Sequence, residues 1–311
     1  MNTPLHAAVL EPAADARAAA PERFSPTRPL YWSVRRELWE NRSIYLAPLG
    51  VATFAVVALV VHGVTMPSHL PGMLGNDPSQ GTTPSAMYRA MALLMLSTGF
   101  VVGAFYCMDA LSGERRDRGI LFWKSLPVSD RTAVLAKASI PLAVLPLVTL
   151  AVLVAMQAVL FLLSAVALLA QGHALAPFWR EVHLPALWAA TAYSVAAIAL
   201  WHAPIYAFLL LVSGWARRTA ALWAVLPLLA AGVLEKLTMD TTHVAAMVRH
   251  ALIGWYGLAF AIHARESVPF HPLNSLTPGR FLSAPGLWIG LLLAAVFLAA
   301  AVRLRRRREP A

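Results

Sequence analysis

The sequence is poor in charged residues. Only 13% of its 311 residues are Asp, Glu, Lys or Arg, whereas 59% are hydrophobic. A soluble globular chain carries roughly 25% charged and about 45–50% apolar residues, so this chain has too few charges to cover a water-facing surface. The apolar residues also form long unbroken blocks. These features exclude soluble enzyme folds and predict an all-α integral membrane protein with several spanning helices.

Cysteine is nearly absent. Cys107 is the single cysteine, so neither an internal disulfide nor a zinc site built from several thiolates can form. The histidines form no H-E-x-x-H or H-x-x-E-H pattern, and no pair of them shares a helical face with a neighbouring carboxylate. We therefore expect no metal site in this chain.

The phosphate-binding loop G-x-x-x-x-G-K-[ST] is also missing. Ser125 is the only Ser or Thr preceded by Lys, and no glycines precede it at the required spacing. We expect no cofactor bound by this chain. The net charge of +10 does not indicate nucleic acid, because the basic residues adjoin apolar blocks, as membrane topology requires.

Six apolar blocks reach or approach the roughly 20 residues that a helix needs to cross a bilayer. The third block is long enough that it must tilt or protrude, and Pro141 and Pro146 are its expected bend points. The predicted spans are 44–64, 87–111, 138–170, 184–212, 219–234 and 287–304, within a six-span transmembrane domain over 44–304.

A seventh apolar stretch, 243–264, carries Arg249, His250 and His263. If it spanned the membrane, the basic C-terminus would lie outside, against the positive-inside rule. We interpret it as a non-spanning helix on the outer face. With six spans, 19 of the 25 lysines and arginines fall on one side, which predicts an inner-membrane protein with both termini in the cytoplasm.

The two ends of the chain differ in composition from the apolar blocks. Residues 1–29 contain eight alanines and five prolines, which predicts a disordered cytoplasmic tail without a cleaved signal. Residues 305–311 are predicted to form a basic cytoplasmic tail.

Residues 30–43 are predicted to form an amphipathic interfacial helix. Val34 and Leu38 lie on its apolar arc, Glu37 lies on its polar arc, and Trp32 and Trp39 lie between the two arcs. This helix is either a plain membrane anchor or an elbow that also contacts a cytoplasmic partner.

The longest cytoplasmic loop follows the second span. It places an apolar and aromatic group directly after a dense charge cluster, a pattern that suits either the headgroup layer or a groove in another protein. Ser129 or Asp130 can cap the helix that follows. The residues predicted to dock are Glu114, Arg115, Arg116, Arg118, Leu121, Phe122, Trp123, Lys124, Leu126 and Pro127.

The run from Glu114 to Ser129, ERRDRGILFWKSLPVS, resembles the signature loop of type-2 ABC transporter permeases. Gly119 stands where many relatives have Ser or Thr. The resemblance implies that the loop contains a coupling helix that docks on a separate cytoplasmic ATPase, which holds ATP and Mg. It also implies an N-terminal elbow helix, six spans, outer-face helices between spans five and six, and a homodimer, with export the commoner direction.

Polar residues inside the spans are explained first by hydrogen bonding between helices, and a polar stripe along a translocation path is the alternative. Pro204 lacks an N–H, so a kink or polar cavity is expected beside it. No span centre carries a charged residue, which argues against a proton- or sodium-driven carrier. The candidates are Gln157, Tyr193, His202, Pro204 and Tyr206.

Two other classes of function stay open. An intramembrane enzyme would use His202 or the outer-face histidines, and it would need a nucleophile or carboxylate at membrane depth that the sequence does not offer. The other class is a membrane scaffold without transport activity. We expect no catalytic residues in this chain.

Overall fold

A computed structural model describes residues 27–65, 84–116, 129–216, 219–260 and 275–307. The described residues are almost entirely helical, and their only extended pairing is a single antiparallel bridge between Phe260 and Leu276. The helices are α1 Thr27–Glu40, α2 Ser43–Thr65, α3 Pro84–Arg116, α4 Asp130–Ser139, α5 Leu145–Ala170, α6 Leu175–Val182, α7 Leu184–Trp201, α8 Ala203–Trp215, α9 Ala220–Met239, α10 His243–Ala259, α11 Pro278–Ser283 and α12 Pro285–Arg307.

Six helical stretches in the described residues are long and apolar enough to cross a membrane, which agrees in number with the sequence prediction and makes the chain a multi-pass membrane protein. They are Ser43–His62, Met87–Gly113, Asp130–Ala170, Phe178–Trp201, Ala220–Met239 and Pro285–Arg307. We number them spans one to six. The shorter apolar helix α8 continues span four.

Span three contains a π-helical turn, Ile140–Val144, that joins α4 to α5. Pro141 lies in this turn and Pro146 lies in the first turn of α5. Neither proline has an N–H, so both leave carbonyls of the preceding turn without their α-helical donors. The irregularity therefore falls where the sequence predicts a bend.

Span four is interrupted at His202, where α7 ends and α8 begins. The sequence predicts one continuous span over 184–212 with an irregularity at Pro204. The structure has a break there, because Pro204 cannot donate to the carbonyl of Leu200. The peptide N–H of Tyr206 restores the helical pattern by donating to the carbonyl of His202 at 3.0 Å.

Spans two, four and six pack closely through small residues. A Cβ atom placed on Gly103 in α3 would lie 3.0 Å from Cε1 of Tyr206 in α8, and one placed on Gly290 in α12 would lie 3.4 Å from Cγ of Pro204. Glycine at these two positions lets the helices approach closely, as small residues do in membrane bundles.

Span five is mostly uncovered. Helix α9 buries only Ala220 and Ala224, and its leucines face outward on every side. An apolar side chain that faces hydrocarbon carries no penalty, so this pattern fits a helix surrounded by lipid or by a second membrane chain.

Helix α10 is shorter than the predicted non-spanning segment 243–264: it ends at Ala259. It packs against the break in span four, where Nε1 of Trp201 donates to the carbonyl of Ala251 at 3.0 Å. Glu235 caps its first turn by accepting from the N–H groups of His243 and Val244.

Candidate coupling base and translocation path

A buried ionic network joins α1 to spans two and three. The ammonium of Lys137 donates to Oε1 of Glu37 at 2.7 Å, and the hydroxyl of Tyr106 donates to Oε2 of Glu37 at 2.8 Å. Glu37 is 6% exposed and Lys137 is 4% exposed. The prediction that Glu37 lies on the outward polar arc of α1 is therefore wrong: its carboxylate points into the bundle, where it neutralises a lysine.

This network constrains the geometry of the bundle. A buried carboxylate is tolerated only when it is paired and hydrogen-bonded, and both oxygens of Glu37 meet that condition. Val34 and Leu38 pack beside it against a core cluster that contains Ile44 and Tyr106. Helix α1 is thus fixed to the bundle by both apolar packing and an ion pair.

Two further contacts join the helices that flank residues 117–128. Oγ of Ser213 in α8 accepts from the N–H groups of Leu111 and Ser112 at 3.1 and 3.0 Å. Arg305 in α12 donates to Asp130 at 3.2 Å. The end of α3 is therefore connected to span four, and the start of α4 is connected to span six. We refer to these contacts and the Glu37–Lys137–Tyr106 network as the coupling base.

Most of the predicted docking residues lie outside the described residues. This applies to Arg118, Leu121, Phe122, Trp123, Lys124, Leu126 and Pro127. The backbone of Glu114, Arg115 and Arg116 forms the last turn of α3, and their side chains also lie outside the description. Ser129 caps α4, as predicted, because its Oγ accepts from the N–H of Thr132 at 3.2 Å.

Three of the five predicted path residues meet at the break in span four. His202 is 4% exposed, and its Nε2 lies 2.9 Å from the carbonyl oxygen of Leu252 in α10. The ring centroid of Phe100 lies 4.7 Å from that of His202 and 6.0 Å from that of Tyr206. Pro204 lies between the two residues in sequence. The rings of His202, Tyr206 and Phe100 therefore form one aromatic group at the break.

The other two path residues lie elsewhere. The ring of Tyr193 packs edge-on against Phe260 and Phe281, at centroid distances of 5.8 and 6.5 Å. Gln157 is fully buried in span three, in α5, and neither of its amide atoms has a partner among the described residues. The five residues therefore do not form one continuous line.

Gln157 belongs to a row of buried polar residues in α5, of which sequence reasoning missed Thr149 and Ser164. Thr149, Gln157 and Ser164 repeat at seven- and eight-residue intervals, which places them on one face of α5. That spacing was the signal that could have identified them. The buried hydroxyls of Tyr88 and Ser164 lie near each other. Five other residues have a buried polar side-chain atom without a partner in the described part of the chain: Thr149, Gln157, Trp188, Tyr193 and His202. Such atoms ordinarily bind water or another polar group.

One histidine does have a carboxylate neighbour. Nδ1 of His243 lies 2.9 Å from Oε1 of Glu235, and Oγ1 of Thr241 donates to the same oxygen at 2.6 Å. Because this carboxylate also accepts from two backbone N–H groups of α10, its position is explained as a helix cap. Within the described residues, no three histidine, cysteine or acidic side chains lie close enough to share a metal ion.

Comparison of the chain with protein-family models, with curated proteins and with solved structures finds no match. The class that can be stated from the fold is therefore a multi-pass α-helical membrane protein.

Proposed function

We propose that this chain is the membrane permease subunit of an ABC transporter of the exporter type. A separate cytoplasmic ATPase would bind ATP and Mg and hydrolyse the nucleotide, and two copies of the permease would form a homodimer in the inner membrane. The proposal rests on the run from Glu114 to Ser129 and on its position between spans two and three.

The coupling base is the structural observation that carries the proposal. Residues 117–128 connect α3 to α4 in the sequence, and the side chains that join these two helices to α1, α8 and α12 are mostly buried. Force applied to this loop would reach α1 and spans two, three, four and six together.

The proposed mechanism follows from this arrangement. ATP binding brings the two ATPase subunits together, and each carries one docked loop with it. The coupling base then turns that displacement into a movement of whole helices. The break at His202 and the π turn after Ser139 are the places where spans four and three can bend.

The test is purification of the tagged chain from its native membranes, followed by assay of the associated Mg-dependent ATP hydrolysis. Trp123→Ala should weaken retention of the ATPase more than tenfold, since loss of a central aromatic anchor typically costs about 2 kcal/mol and about 1.4 kcal/mol is one decade. Arg118→Ala should cause a smaller, salt-sensitive loss, because rim charges act mainly on the association rate.

Trp179→Ala is the matched control. Trp179 is 50% exposed in α6, outside the 112–137 segment, so its loss should leave ATPase retention unchanged. If Trp123→Ala inserted normally and retained the ATPase as the wild type does, the loop would not be the docking element. If no ATPase accompanied the wild-type chain, the proposal itself would fail.

A further inference from the structure

The outward face of α1 carries an arginine between two tryptophans. The guanidinium carbon of Arg35 lies 5.2 Å from the ring centroid of Trp32 and 5.5 Å from that of Trp39. The three residues are spaced i, i+3 and i+7, so they share one face of the helix. Trp32 is 59% exposed and Trp39 is 71% exposed. We call these three residues the Trp–Arg–Trp cluster.

The charge of Arg35 is not neutralised within the described part of the chain. The nearby carboxylates have other partners: Glu40 pairs with Arg36 at 2.5 Å, and Glu37 pairs with Lys137. The two indole rings hold the guanidinium by cation–π attraction. A guanidinium in cation–π contact can still donate two N–H groups to a two-point acceptor such as a phosphate.

The position of the Trp–Arg–Trp cluster indicates which kind of molecule carries the phosphate that Arg35 binds. Helix α1 ends at Glu40 and span one begins at Ser43, while the Glu37–Lys137 ion pair holds α1 against the bundle. The cluster therefore lies beside the end of a spanning helix. Exposed indole rings in that position are typical of the headgroup layer, where one part of the ring meets hydrocarbon and the N–H meets polar groups.

We propose that the Trp–Arg–Trp cluster is a binding site for the phosphate of an anionic phospholipid headgroup. The two indole rings lie where the acyl chains meet the headgroup, and Arg35 binds the phosphate oxygens. A zwitterionic lipid carries its own ammonium next to the phosphate, which offsets the attraction, so the site prefers anionic lipids. This inference does not depend on the proposed transport function.

The experiment uses the full chain in neutral detergent and mass spectrometry of the intact protein–lipid complex. Phosphatidylglycerol and phosphatidylcholine are titrated separately, and the apparent Kd of the first bound lipid is compared. The wild type should bind phosphatidylglycerol about tenfold more tightly than phosphatidylcholine, because both lipids offer a phosphate to Arg35 but only phosphatidylcholine carries an opposing ammonium beside it. Arg35→Gln should abolish this preference, and Arg35→Lys should keep only part of it.

Arg36→Gln is the matched control, because Arg36 is adjacent in sequence and already paired with Glu40. It should keep the preference. The proposal is overturned if Arg35→Gln keeps the preference, if Arg36→Gln loses it equally, or if inorganic phosphate displaces the lipid at similar concentration, which would indicate a soluble ligand. Should Arg35→Gln aggregate, Trp39→Leu tests the same cluster, and unchanged selectivity there would also overturn the proposal.

Discussion

The buried ion pair between Glu37 and Lys137 allows a quantitative prediction. Glu37→Gln removes the negative charge and keeps an acceptor for the hydroxyl of Tyr106. It takes away the carboxylate that pairs with Lys137, whose side chain is only 4% exposed inside the bundle. Removing one partner of a buried pair typically costs about 3–5 kcal/mol, so we expect a loss of that size in the free energy of unfolding.

The exposed pair on the same helix provides the comparison. The side chains of Arg36 and Glu40 are 35% and 49% exposed, and a solvent-exposed pair of this kind contributes about 0.3–0.5 kcal/mol. Arg36→Gln should therefore change the free energy of unfolding by less than about 0.5 kcal/mol. Each variant breaks one ion pair of α1, and the pair of Glu37 is buried whereas the pair of Arg36 is exposed.

The double variant Glu37→Gln/Lys137→Met tests whether the loss in Glu37→Gln comes from the buried lysine charge. It removes both charges, and replacing a buried pair with uncharged residues of similar size is often neutral. It should therefore recover most of the stability that Glu37→Gln loses. Unfolding is followed by circular dichroism as SDS is titrated into mixed micelles of the full chain. Equal losses in Glu37→Gln and Arg36→Gln, or a double variant no better than Glu37→Gln, would refute the reasoning.

Three other predictions test topology and packing. Reporter fusions at Gly113 and Thr277 should lie on opposite sides of the membrane, and the six-span topology fails if both report the same side. His202→Leu removes the hydrogen bond to the carbonyl of Leu252 in α10. It should lower substrate-stimulated ATP turnover without loss of the ATPase. Unchanged turnover would mean that this side chain serves packing alone. Gly103→Val should destabilise the bundle by about 1–3 kcal/mol, since overpacking a close contact with Tyr206 costs that much, and a variant as heat-stable as the wild type would contradict this contact.

The spanning helices could be predicted because membrane insertion depends on local composition. A run of about 20 apolar residues satisfies its backbone internally as a helix wherever it occurs, so the six blocks appear directly in the sequence. The irregularities at Pro141 and Pro204 are also local, because a proline removes its own N–H donor whatever surrounds it. The coupling loop stays a prediction, since residues 117–128 lie outside the described part of the chain.

The placement of polar groups was decided by tertiary structure. Glu37 is assigned to the polar face by periodicity, but its partner Lys137 lies 100 residues away in sequence, and no local pattern reports that distance. The same holds for Trp201 and His202, whose ring nitrogens contact backbone carbonyls of α10 about 50 residues further on. Helical periodicity says which residues share a face, whereas only the packed bundle determines which face meets a partner and which meets lipid.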